Sequence, residues 1–328
     1  MDVLADVLAV TRMGATVIAQ AELVPPWGLE IDPIAEAHVH VVRRGACWLR
    51  ASGDRRHLHL TAGDVVLIRG GVGHSICDDP KPRPRPYRDV LDAMPRRLAA
   101  LPESRAHETT VVLCAKYLFQ HAGSHPLTTL LPPLIHLRAH EAERHARLQL
   151  LLQLLRQEAI DAGSGSDLVV PRLVDSLLIY VVRAWLEGQP VGAAGWFGAL
   201  RDPAIAKALS LIHERPQSPW SVETLARQAA QSRATFARRF AALVGESPVA
   251  YLTRWRMCLA GKLLCESELT LDEIAGRVGY ETGAAFSKAF RRSLGSAPGR
   301  FRAAAREELE MRTRRASAKS EVRRLDKS

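Results

Sequence analysis

The sequence predicts an α+β, multidomain protein with an N-terminal β-barrel, a helical hairpin and an all-α C-terminal part. Three observations support this fold class. Short apolar runs with glycine-rich turns between them fill residues 1–135. The apolar periodicity becomes helical from about residue 139, and residues 221–301 contain an internal repeat of helix pairs. A chain of 328 residues is long enough for about two domains, each with its own core.

The N-terminal strands are short and regularly spaced. Four runs of four or five residues and one longer run have strand character: 38–42, 47–50, 57–60, 65–68 and 110–119. Such spacing favours a sandwich or a barrel. The proline-rich stretch 78–86 cannot form a central strand, so we expect an exposed, polyproline-like loop there.

Two apolar helices follow the strands, at 147–162 and 171–186, with a Gly/Ser turn between them. Leu150 and Leu154 lie outside the main apolar stripe of the first helix, which makes its apolar arc wide enough for two partners. The hairpin therefore either packs against the barrel or pairs with a second subunit, and we expect a homodimer. A glycine-rich stretch at 189–198 is the expected linker.

The formal net charge of +10 lies entirely in the last third of the chain. Residues 1–200 carry 21 Lys and Arg against 21 Asp and Glu, whereas residues 201–328 carry 24 against 14. A neutral front and a basic back indicate a sensing or catalytic part joined to a part that binds a polyanion. Nucleic acid is the first candidate and an anionic membrane surface the second.

Composition also bears on the compartment. No run approaches about 20 consecutive apolar residues, so we expect no membrane-spanning helix. The first six residues carry acids where a signal or transit peptide would carry Lys or Arg. The five cysteines are odd in number and lack CxxC spacing, as is typical of a reducing compartment. We therefore expect a cytoplasmic protein.

The internal repeat is one helix pair used twice. Five positions from Ser221 to Ala229 have the same or a similar residue type 49 residues later. Five positions from Phe236 to Tyr251 have a counterpart 50 residues later. In each unit a Ser or Thr N-cap begins a short helix, and a second capping residue begins an amphipathic helix with two phenylalanines at i and i+4. This pattern is a helix-turn-helix. The helix between the units, 248–265, spans roughly 27 Å, near the ~34 Å between successive major-groove faces.

The repeat resembles the DNA-binding domain of the AraC/XylS transcriptional regulators over residues 200–305. The matching pieces are Pro248-Val249-Ala250-Tyr251-Leu252 with Arg256, Ala260, Leu263 and Leu264, then Ile274-Ala275 with Val278-Gly279-Tyr280-Glu281-Thr282, and Phe286-Ser287-Lys288-Ala289-Phe290 with Gly295, Pro298 and Arg302. The resemblance implies two helix-turn-helix units joined by a linker helix. It also implies double-stranded DNA and RNA polymerase as partners, and a small-molecule effector of unknown identity.

The resemblance assigns DNA contacts to the second helix of each unit. In the first unit the open face carries Arg233, Ala234, Ala237 and Arg238. Arg238 is the best candidate for base reading, because its planar fork can bond guanine O6 and N7 together, while the alanines can touch a thymine methyl.

In the second unit the corresponding positions are Gly283, Ala284, Ser287 and Lys288. Gly283 and Ala284 stand where the family usually has longer polar side chains, so this helix is less suited to base reading. We expect Lys288, Arg291 and Arg292 to contact phosphates and to supply affinity and register.

The neutral front half resembles cupin barrels. Residues 60–68, followed by Gly71 and His74, are similar to the second cupin motif, and His38 and His40 stand where the first motif has its His-X-His. The resemblance implies three inward imidazoles, a familiar ligand set for a divalent transition metal. The carboxylate of the first motif is missing, and Arg69 replaces the proline of the second.

The sequence does not determine which signal the barrel receives. A small-molecule pocket, a metal site and a redox switch at Cys47 and Cys114 are the alternatives, and buried strand cysteines are a simpler interpretation of both thiols. A metal-dependent dioxygenase that carries a DNA-binding module is a competing function, and a protein-binding helical adaptor is the alternative for the C-terminal third.

The sequence as a whole predicts a transcription regulator and not an enzyme. The expected domains are a cupin-like sensor at 1–135, the hairpin and linker at 136–198, a DNA-binding domain at 199–305 and a disordered basic tail at 306–328. Activation and repression are both compatible with these residues.

Overall fold

The computed structural model describes residues 3, 6–7, 13–14, 18–34, 36–81, 84–86, 109–119, 131–161, 164–190 and 196–307. The chain forms two compact units. The barrel unit is Thr11–Ala193, and the helical unit is Ala194–Ser328 together with Met1–Val10. Within the described ranges, no helix combines the length and the apolar character that crossing a membrane requires.

The barrel unit contains two β-sheets. In chain order the strands are β1 (Met13–Gly14), β2 (Ile18–Leu23), β3 (Gly28–Ile31), β4 (Ala37–Arg44), β5 (Ala46–Ala51), β6 (Leu58–Thr61), β7 (Val65–Ile68), β8 (His74–Cys77), β9 (Arg85–Pro86), β10 (Thr110–Phe119) and β11 (Leu134–Leu137). One sheet has the order β1-β10-β4-β7-β11, with β2 also paired to β10, and the other has the order β6-β5-β8-β3-β9. The pairings are antiparallel except for β3 with β9.

The five predicted strand runs correspond to β4, β5, β6, β7 and β10. The sequence did not single out β2, β3, β8 and β11, because these four- to six-residue strands acquire their pattern of burial from their partners. Part of the predicted proline-rich loop forms β9, an edge strand, which is where a sheet tolerates proline. Residues 82–83 of that loop and residues 87–108 after it lie outside the described residues.

Apolar side chains from both sheets meet between them. This core consists of Leu23, Leu29, Ile31, Val42, Cys47, Leu49, Leu60, Val66, Ile68, Ile76 and Val112. Because side chains alternate along a strand, the residues between these positions on β4, β7 and β10 face the opposite side. On that side Tyr117 is fully buried and donates a hydrogen bond from its hydroxyl to the Val174 carbonyl oxygen at 2.7 Å.

Three helices follow the sheets: α1 (Ala139–Ala142), α2 (Ala146–Asp161) and α3 (Ser166–Gly188). The helix predicted from Pro171 begins five residues earlier, so Pro171 lies inside its second turn. The hairpin of α2 and α3 packs against the barrel, as the Tyr117–Val174 hydrogen bond shows. Leu150 and Leu154 nevertheless remain 60% and 54% exposed.

The helical unit contains α4 (Trp196–Ala199), α5 (Pro203–Glu214), α6 (Val222–Gln228), α7 (Arg233–Val244), α8 (Pro248–Glu266), α9 (Leu271–Arg277) and α10 (Gly283–Leu294). The predicted N-caps are confirmed, since the Ser221, Ser232, Thr270 and Thr282 side chains each accept a backbone N–H three residues ahead. Helical backbone continues over 298–307. The predicted tail from residue 308 onward lies outside the described residues.

Candidate nucleic-acid interface and buried histidine cluster

The helices predicted to contact DNA are α7 and α10, the first and second recognition helices of that prediction. The first of them, α7, presents a polar face to solvent. Phe236 and Phe240 are fully buried and attach the helix to its unit. On the opposite side Arg233, Ala234 and Arg238 are exposed, and Ala237 is partly exposed. The four positions predicted to face DNA therefore share one accessible surface.

The arginines of α7 differ in what holds them. Arg233 pairs with Glu223 of α6 at 2.5 Å, and Arg239 pairs with Asp202 at 2.5 Å. For Arg238, no ion pair or hydrogen bond occurs within the described part of the chain. Two neighbours are thus held inside the unit while the Arg238 guanidinium remains available to a ligand. The sequence did not predict the role of Arg239, because its partner is 37 residues away and belongs to a helix, α5, that the sequence did not predict.

The second recognition helix, α10, carries a cationic surface. Ala284, Lys288, Arg291 and Arg292 are exposed, and Ser287 is half-buried. Ser287, Lys288, Arg291, Arg292 and Ala297 line one open groove. Three cations at the edge of an open groove suit the phosphates of a polyanion.

Gly283 corrects the predicted contact set. It is buried, and its N–H donates to Asp272 Oδ1 at 2.7 Å. A Cβ at this position would lie 2.7 Å from the same oxygen, which explains the glycine. Gly283 therefore faces α9 and the interior of the unit, and the accessible set on α10 begins at Ala284.

The three predicted imidazoles meet inside the barrel. His38 and His40 on β4 and His74 on β8 are 3%, 3% and 2% exposed. Their ring centroids are 5.0 to 6.1 Å apart. On the neighbouring strand β10, Cys114 is opposite His40 and Lys116 is opposite His38.

A chain of close contacts runs through this cluster. His40 Nδ1 lies 3.1 Å from Cys114 Sγ, and His40 Nε2 lies 2.8 Å from His74 Nε2. A neutral imidazole has one N–H donor and one acceptor nitrogen. If the Cys114 thiol donates to His40 Nδ1, the His40 Nε2–H is free to donate to His74 Nε2, so one set of protons accounts for both contacts.

Burial keeps these groups uncharged. Desolvation, followed by the neighbouring His74 and Lys116 charges, lowers the pKa of His38 to about 3. Desolvation also lowers the pKa of His74 to about 4 and that of His40 well below its usual value. Glu36 Oε2 lies 4.0 Å from His38 Nε2 and pairs with Lys116 at 3.3 Å.

The cluster in this arrangement does not fit a metal ion. A metal would need the lone pairs of His40 Nε2 and His74 Nε2 directed at one point, whereas the two atoms lie 2.8 Å apart, at hydrogen-bonding distance from each other. Within the described ranges, no group of three or more His, Cys, Asp or Glu side chains is arranged to hold a metal. The missing carboxylate of the first cupin motif is consistent with this geometry.

The two candidate redox cysteines have protonated thiols. Burial is the main cause that raises the pKa of Cys47 to about 12 and that of Cys114 to about 12. The thiolate is the nucleophilic form, so both side chains are in their unreactive state. The hydrogen-bonding role of Cys114 was not predictable, because His40 is 74 residues away in the sequence.

Comparison with known proteins gives matches along most of the chain. Residues 2–187 match a family described as cupin, and residues 225–304 match a helix-turn-helix domain family. An AraC-like transcription regulator of Streptomyces antibioticus is 33% identical over 92% of this chain and 98% of its own length. The transcriptional regulator AlkR of Acinetobacter baylyi is 32% identical over 74% of this chain and 79% of its own. In the crystal structure of the DNA-binding domain of AdpA with a target DNA, 96% of that chain aligns with 33% of this one, at 41% identity and a TM-score of 0.32.

Proposed function

The chain belongs to the AraC family of DNA-binding transcription regulators, and we propose that it reads bases with α7 and holds the phosphate backbone with α10. Arg238 carries this division: it is exposed and forms no ion pair with any described residue, whereas its neighbours Arg233 and Arg239 are both paired within the unit. Lys288, Arg291 and Arg292 supply charge without a comparable base-reading side chain beside them. The relatives that match along most of the chain are transcription regulators, which favours this function over a dioxygenase.

Selection from a random duplex library tests the DNA function. We expect the full chain to enrich a defined sequence, with affinity that falls steeply between two salt concentrations because bound phosphates release counterions. Enrichment of no sequence, or binding without a salt dependence, would contradict the proposal and favour a protein-binding adaptor. The same selection on genomic fragments identifies the operator, and added RNA polymerase tests the expected contact with that enzyme.

We propose that the barrel receives a polar organic effector at the histidine cluster. Neither nitrogen of the buried His38 ring hydrogen-bonds to any described residue. A buried polar group without a partner is unfavourable, so a molecule that supplies the hydrogen bond gains affinity there. The effector acts in the cytoplasm in this proposal, where the DNA is also found.

A thermal-shift screen of small polar metabolites tests the effector site. A bound compound raises Tm by mass action, and we expect the rise to disappear in His38→Leu. A rise that persists in this variant would place the effector elsewhere. Stoichiometric iron, zinc or nickel in the purified protein would instead restore the metal hypothesis.

We further propose that the chain forms a homodimer through the exposed apolar face of the hairpin. This hairpin face consists of Leu150, Leu154, Leu168 and Val169, which are 41% to 68% exposed. Isolated exposed apolar side chains are common on protein surfaces, but four on one hairpin favour self-association.

A further inference from the structure

The second helix-turn-helix unit is connected to the first by α8, and it also contacts the turn that precedes the first unit. The α5–α6 turn, residues 215–220, lies before the first unit. A Cβ on Gly279, in the turn between α9 and α10, would lie 2.8 Å from both Cα and O of Gln217. The backbone of the second unit's turn therefore rests on the backbone of the α5–α6 turn.

Arg256 of α8 links both sides of this contact. Its Nε donates to the Pro216 carbonyl oxygen at 2.7 Å, and its Nη2 donates to that of Ser218 at 2.9 Å. The same guanidinium lies over the Tyr280 ring, 5.8 Å from its centroid. Tyr280 in turn contacts Phe286 of α10 edge to face, with ring centroids 6.0 Å apart. One side chain thus connects the α5–α6 turn to the base of the second recognition helix.

The internal repeat supplies a control for the glycine. Ala230 occupies the turn position in the first unit that Gly279 occupies in the second, and both have positive φ, 53° and 82°. The hydrogen bonds of the two turns also correspond: Gln231 N–H donates to Ala226 O at 3.0 Å, and Tyr280 N–H donates to Ala275 O at 2.8 Å. Because the first turn accommodates an alanine, backbone conformation alone does not require glycine in the second. The close approach of the Gln217 backbone and of Arg256 Nη2, 2.7 Å from the hypothetical Cβ, requires it.

We propose that Arg256 is a positioning residue that fixes the distance and angle between α7 and α10, so that the protein recognises one spacing between two half-sites. This inference rests on the proposed DNA function of both helices. Met257, Ala260 and Leu264 of α8 are buried in the core of the second unit. Arg256 adds a second connection, which restrains that unit against the α5–α6 turn. Nearly all molecules then already have the relative orientation of α7 and α10 that binds a bipartite site, so no affinity is lost in selecting it.

A spacing assay tests the proposal with the full chain. The bipartite duplex enriched by the wild type serves as probe, beside a duplex with one base pair inserted between the half-sites. The insertion moves the second half-site by about 3.4 Å, and we expect wild-type affinity to fall about tenfold or more. In Arg256→Ala, if about one molecule in ten has the binding-competent orientation, affinity for the original probe should fall about tenfold. The inserted base pair should then lower the affinity of this variant little further.

Two matched controls separate positioning from other effects. Arg254→Ala removes the same charge from α8, but Arg254 pairs with Glu246 inside the first unit at 2.5 Å, so the insertion penalty should stay at the wild-type level. Gly279→Ala should tolerate the inserted base pair as Arg256→Ala does. Gly245→Ala should not, because Gly245 has a similar φ of 85° and no atom within 4 Å of its hypothetical Cβ.

The outcomes are distinct. A folded Arg256→Ala variant that keeps both the wild-type affinity and the wild-type insertion penalty would overturn the positioning role. If Arg256→Ala does not fold, the Gly279→Ala and Gly245→Ala pair decides the question by the same measurement. Failure of the wild type to enrich any sequence would count against the proposed function and not against the contact between the units.

Discussion

Arg239 of the first recognition helix and Asp202, the N-cap of α5, form an ion pair with an Nη2–Oδ2 distance of 2.5 Å. The Asp202 side chain is 9% exposed, and its Oδ1 accepts hydrogen bonds from the N–H groups of Ala204 and Ile205. The two carboxylate oxygens therefore have separate tasks, since one caps α5 and the other holds α7. This pairing ties α7 to α5 within the helical unit.

Asp202→Ala should destabilise the helical unit by about 1 to 2 kcal/mol, because it removes a helix cap as well as the partner of Arg239. Arg239→Ala should cost less than about 1 kcal/mol, since the Arg239 side chain is half exposed and solvent screens the pair. Urea unfolding measures both. Asp202→Asn keeps the cap without the charge and should lie close to the wild type; a loss as large as that of Asp202→Ala would show that the ion pair dominates.

Arg238→Ala should lower sequence discrimination by about 1 to 3 kcal/mol at one base pair, because a bidentate contact to a base edge is lost. Lys288→Ala should weaken all duplexes alike and reduce the salt slope by about one, because a phosphate contact is lost. A footprinting titration on the selected duplex and a scrambled duplex measures both variants. Equal losses on the two duplexes for Arg238→Ala would remove it from base reading.

Leu150→Ser combined with Leu154→Ser should convert the dimer to a monomer with little change in the unfolding of the barrel unit, because both side chains are largely exposed. Light scattering at micromolar concentration measures the oligomeric state. The matched control is Leu148→Ala on the same helix, which should destabilise the barrel unit by about 2 to 5 kcal/mol because Leu148 is fully buried. A monomeric wild type would contradict the proposed dimer.

The stability of the barrel unit should fall as the pH falls from about 6.5 to about 4. The folded-state pKa values of His38 and His74 are lowered to about 3 and about 4, below the ordinary value of 6.5. In that window the unfolded chain binds more protons than the folded one, so protonation favours unfolding. This contribution to stability is fully present above the unfolded-state pKa and is lost progressively below it.

Urea titrations of the wild type and of His38→Leu at pH 7 and pH 5 measure this effect. The difference between the two pH values should shrink in the variant, because one of the three buried imidazoles is gone. His57→Gln is the control, since it removes a histidine whose side chain is exposed. An identical pH response in wild type and His38→Leu would contradict the assignment.

Much of the helical unit was predictable because its signals are local. Ser221, Ser232, Thr270 and Thr282 cap helices whose first turns follow at once in the sequence, and the repeated Phe pairs mark the buried face at helical spacing. The family resemblance identified His38, His40 and His74 as inward-facing, and the structure brings them together. Gly283 could not be placed in this way, since its burial depends on the Asp272 carboxylate of another helix.

The sequence by itself determined the order of the parts, the double helix-turn-helix and the chemistry of its cationic faces, because periodicity, capping and composition act over a few residues. Only the tertiary structure decided that Cys114 and His74 lie at hydrogen-bonding distance from the two ring nitrogens of His40. It alone also decided that Arg256 donates hydrogen bonds to the α5–α6 turn. Those contacts connect residues 34 to 74 positions apart. Their geometry depends on strand register and helix packing, which no local pattern encodes.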